Sequence, residues 1–181
     1  MLIIPKLLLP LFLLFPILSF SMSVGEAYKL IPHKQTTYMS SKSPLDSATK
    51  HELEKLFKIV DEGVVARFSA FQKLYYAHPA PGAISSYKTV ISKLLRLSVS
   101  IKVRPVKEKI ISSMKHQVQY LESWSREITK KAIPFNPGDS NVQNATRTLK
   151  TSYSDLMSLF PSESEHNKQA FFDHLCALDF L

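Results

Sequence analysis

Cysteine is all but missing from this 181-residue chain: one residue, Cys176, stands alone. That excludes an intramolecular disulfide framework, so cohesion has to come from apolar burial. Glycine is nearly as scarce, with four residues, which leaves no Gly-rich loop to cradle a phosphate with backbone amides. No segment recurs with a period of about 20–50 residues, so solenoids and propellers are out. No pair of alternating segments flanks a hairpin turn, so a β domain is not expected.

The residue constellations of catalysis are missing as well. There is no G-x-S-x-G elbow for a serine nucleophile. Of His33, His51, His78, His116, His166 and His174, none shows the i, i+4 spacing of a zinc helix. His166 and His174, with Asp173 and Glu165 as oxygen donors, could share one helical side, but a solvated last helix explains them more simply. Cys176 and His174 are two apart and would leave a helix in different directions, so no thiolate–imidazole pair forms. Apolar and acidic neighbours should raise the Cys176 pKa, and a buried inert thiol is expected. Glu52/Glu54 and Glu163/Glu165 fall where helix capping suffices. No enzyme, metal or cofactor is expected.

What is present begins with an address. Met1–Lys6 carries one lysine, Leu7–Leu18 is a 12-residue apolar core, and Ser19 and Ser21 are the small residues of a cleavage site. The run is shorter than the roughly 20 residues that span a bilayer, and Pro10 and Pro16 interrupt it. Residues 1–21 are therefore expected to be a cleaved signal peptide, residues 22–45 a flexible or loosely docked N-terminal arm, and residues 46–181 one domain. The expected location is extracellular, with delivery into a host included.

From Asp46 onward, apolar residues recur at helical spacing. Leu53, Leu56, Phe57, Val60, Val64, Phe68, Phe71 and Tyr75 line one face, until His78-Pro79-Ala80-Pro81-Gly82 ends the helix. A second helix is expected from about Ala83 to Val103, although Leu97–Val103 alternates like a strand. Pro105 suits the first turn of a third, running to Lys131. After the loop Ile133–Asp139, Ser140 should cap a fourth helix that Pro161 stops. Ser162-Glu163-Ser164-Glu165 reads as a capping box for the last. Helices joined by short Pro-containing loops predict an all-α antiparallel bundle of four to five amphipathic helices without disulfides.

Charge is uneven along this chain. Residues 64–133 hold thirteen Lys and Arg against three Glu, while residues 134–181 hold three basic and six acidic residues. Lys88, Lys93, Arg96, Lys102, Arg104, Lys107, Lys109 and Lys115 are the candidate contacts for an anionic partner. A solvated face that keeps the bundle in solution is the commonplace alternative. The block lacks zinc-finger spacing and the aromatic interleaving of single-strand readers, so specific nucleic-acid binding is not expected. Asn144-Ala145-Thr146 is an N-glycosylation sequon.

The expected function is that of a secreted, non-enzymatic interaction protein, binding a host protein or an anionic membrane surface through the basic face. In its serine-rich, basic, nearly cysteine-free composition the chain resembles small secreted effectors of colonising eukaryotes. The alternative is a secreted carrier of an apolar ligand such as a fatty acid or retinoid. Tyr28-Lys29-Leu30-Ile31-Pro32 resembles the start of the mature chain in nematode fatty-acid- and retinol-binding proteins, and Pro137-Gly138 sits in a comparable late loop. That resemblance implies an all-helical fold and an apolar ligand. The serine content and the basic central block depart from that family.

Overall fold

The computed structural model describes Lys29 and residues 36–128 and 133–179. The expected signal peptide and the expected end of the third helix at Lys131 lie outside these residues. Among them are five α-helices: α1 (Ser47–Tyr75), α2 (Pro81–Arg96), α3 (Arg104–Ile128), α4 (Ser140–Leu159) and α5 (Glu165–Leu178). No strand occurs among the described residues. The all-α bundle is what the helical spacing of apolar residues predicts.

Each helix packs on the next, and α5 returns to α1, closing a ring. Consecutive helices run antiparallel. Lys93 meets Glu62 and Ser100 meets Glu52, so α2 descends as α1 rises. Lys109 meets Asp155 and Ser113 meets Ala145 in the same sense between α3 and α4. An odd number of helices makes the closing pair parallel, and Phe57–Phe171, Asp61–His174 and Arg67–Ala177 advance together. Leu53, Leu56, Val60, Leu74, Leu94, Ile110, Met114, Leu121 and Leu156 are fully buried and form the interior. A fully buried Leu or Ile contributes about 1.5–3 kcal/mol, which compensates for the missing cross-links.

The helix boundaries depart from expectation in three places. The second helix ends at Arg96, not Val103, and residues 97–103 form a turn-containing connection. Glu52 of α1 holds it there, accepting from the Ser100 amide at 2.9 Å and its hydroxyl at 2.7 Å. Asp139, not Ser140, caps α4 by accepting from the Asn141 amide at 2.8 Å. Ser164, not Ser162, caps α5 by accepting from Asn167 N–H at 3.3 Å.

Residues 36–45, within the arm that the sequence reads as flexible or loosely docked, lie as a strap on α5. Asp173 accepts from the Thr36 amide at 2.8 Å, His174 Nε2 from the Tyr38 amide at 3.1 Å, and Asn167 from the Met39 amide at 2.9 Å. Ser43 donates to Glu163 at 2.7 Å, beyond a 3₁₀ turn at Ser40–Lys42. The Tyr38 ring lies against Phe57 and Phe171. The last helix is thus not a solvated one.

Candidate functional site

The eight expected basic contacts do not share one face. Lys88 pairs with Glu122 at 2.5 Å, Lys93 with Glu62 at 2.6 Å and Lys109 with Asp155 at 2.6 Å, each bridging neighbouring helices. Those three charges are answered within the fold. Lys115 is exposed on α3, apart from the rest.

The remaining four converge on one end of the bundle. Arg96 closes α2, Lys102 lies in the connection, and Arg104 and Lys107 occupy the first turn of α3. Between 96 and 107 the chain holds no acidic residue. Among the described residues none of the four makes a salt bridge. Lys102 rests over the Phe160 ring at 4.6 Å, Lys107 donates to the Leu97 carbonyl at 2.9 Å, and Arg96 to that of Ser92 at 3.3 Å. Two cations in the first turn of α3 work against the helix dipole, which favours acids there. Amid them Ile101 is 80% exposed, the most exposed large apolar residue described, and Leu95 is 56% exposed.

An apolar concavity lies between α4 and α5. Leu149, Tyr153, Phe172 and Leu175 form an apolar cleft of about 390 Å³, with Cys176 in its wall and Lys150 at its rim. Cys176 is half-buried rather than enclosed. Burial, then the charges of Asp179 and Asp173, push its thiol pKa up, as the sequence suggests. A thiol held protonated is a poor nucleophile.

The histidines expected to be solvated are occupied. His174 is buried, stacks on Phe57 at 4.6 Å, and directs Nδ1 at Asp61 at 2.6 Å. Because Nε2 accepts from Tyr38, the proton sits on Nδ1 and the ring is neutral. His166 contacts Lys42 and the Thr37 carbonyl. No group of three or more His, Cys, Asp or Glu among the described residues could hold a metal ion. No described helix is long and apolar enough to cross a membrane. The sequon Asn144 lies within α4, where it accepts from Arg147, and its Thr146 is buried and donates to Asp179 at 2.6 Å.

Comparison with known proteins finds no matching family model, curated protein or solved structure.

Proposed function

We propose that the protein is an exported, non-enzymatic binding module that meets an anionic macromolecular partner through the bundle end carrying Arg96, Lys102, Arg104 and Lys107. One observation carries this reading. These four cations crowd a twelve-residue arc without an acid, whereas Lys88, Lys93 and Lys109 are each answered by a carboxylate. A cluster with no salt-bridge partner among the described residues is available to an outside anion. The test removes two charges in two places. Arg96→Gln with Arg104→Gln should elute from a polyglutamate column at clearly lower salt than the natural chain. Lys88→Gln with Lys93→Gln should differ from it much less. Equal losses would mean that only net charge matters, and the reading would be abandoned.

The α4–α5 cleft favours a second reading, carriage of a single-chain amphiphile. Its volume lies within the range of about 300–1,000 Å³ usual for ligand pockets. Lys150 at the rim complements a carboxylate, and the apolar walls complement its chain. A fluorescent fatty acid should show a saturable blue shift that Phe172→Asp abolishes. An unsaturable signal would rule the carrier out.

A further inference from the structure

We infer that the anionic partner is a lipid bilayer, and that the connection between α2 and α3 is the segment that enters it. This rests on the basic-end reading above and adds the chemistry of what that end recognises. An acidic protein surface would satisfy the cations alone. It would give no reason for an isoleucine to stand 80% exposed at the middle of the cationic arc. A bilayer interface offers both environments within a few ångströms of depth: anionic headgroups outside, acyl chains beneath.

The tip is built to be presented. Ser100, on one side of Ile101, is fastened by both its amide and its hydroxyl to Glu52. Lys102, on the other side, is seated over Phe160. Val103, next along, is fully buried and anchors the start of α3. Ile101 is therefore fixed outward by its neighbours, and little ordering remains to be done on contact. Arg96 and Arg104 stand exposed at the two ends of the connection, and Leu95 adds a second exposed aliphatic group beside Arg96. Aliphatic groups flanked by cations, Leu95 at the end of α2 and Ile101 on the fixed connection, match the layered chemistry of an anionic leaflet.

Co-sedimentation of residues 22–181, which contain every described residue and omit the expected apolar leader, tests the inference. Phosphatidylserine-containing vesicles should bind the protein, pure phosphatidylcholine vesicles should not, and high salt should release it. Ile101→Ser should weaken partitioning by about tenfold or more. Arg104→Gln should weaken it by about fivefold. In Ile101→Trp, emission should shift blue with anionic vesicles, against a constant background from the buried Trp124. Circular dichroism confirms that these surface variants stay helical. If Ile101→Ser binds anionic vesicles as well as the natural chain, the tip does not insert and the inference is overturned. If vesicles fail to bind while polyglutamate retention persists and depends on Arg96 and Arg104, the bilayer falls and the basic-end reading survives. If both fail, both fall.

Discussion

Tyr87 is fully buried on α2, and its hydroxyl donates to Gln117 of α3, whose amide in turn donates to the Leu178 carbonyl at 2.8 Å. Three helices thus meet at one polar relay inside an apolar interior. Tyr87→Phe should lower stability by about 1–3 kcal/mol in urea unfolding, because it strands the buried Gln117 oxygen without its donor. Tyr38 offers a pH signature. Burial first, assisted by the charge of Glu163 and opposed by the Ser43 hydrogen bond, pushes its pKa from 10.0 up to about 12. Burial raises Tyr87 in the same direction. A tyrosine whose folded pKa is raised favours folding fully below its unfolded pKa, and the benefit disappears as pH rises through the folded one. Melting temperature should therefore drop from about pH 10 toward pH 12, and Tyr38→Phe should show a shallower drop. An unchanged slope would mean Tyr38 is not enclosed in solution. None of these polar residues announced its burial in the sequence. Gln117 and His174 look like any surface residue of a helix, because the partners that satisfy them come from other elements.

At the scale of elements, helical periodicity is a sound guide along α3, whereas at the end of α1 it points to Tyr75, which is exposed, and Leu74 beside it is buried instead. Ile110, Met114, Val118, Leu121, Trp124 and Ile128 are all buried, as their spacing requires. It misled where a distant contact decides. Leu97–Val103 is apolar enough to prolong α2, but Glu52, 48 residues earlier than Ser100, captures that backbone as a turn. The capping-box pattern points to Ser162 as the cap of α5, and the packed geometry selects Ser164. The contacts of the strap are not legible in the sequence, since residues 36–45 have no periodicity and are held by side chains of α5 through their backbone amides. Asn167 both accepts from the Met39 amide and donates to the Met39 carbonyl. Asn167→Ala should cost about 1–3 kcal/mol and accelerate amide exchange at Tyr38 and Met39 more than along α3. Uniform acceleration would indicate global weakening instead of a loosened strap.

For the whole molecule, the uneven charge was readable but its distribution in space was not. Thirteen basic residues against three acidic in one block suggested a face. The acids that answer Lys93 and Lys109 lie on α1 and α4, outside that block. Exposed pairs of this kind contribute about 0–1 kcal/mol each, so they position charge more than they hold the bundle together. Cohesion rests on the interior, and the lone half-buried thiol adds no cross-link within the chain. Unfolding midpoints and elution volumes should coincide with and without dithiothreitol. A reductant-sensitive dimer would instead identify Cys176 as a bridge between two chains.

The strap has a consequence for biosynthesis. Thr36, Tyr38 and Met39 find their partners 137, 136 and 128 positions further along. A ribosome must therefore reach Asn167, Asp173 and His174 before Thr36, Tyr38 and Met39 have anywhere to settle. This early-made segment is among the last to be stowed, and until then Tyr38 travels uncovered.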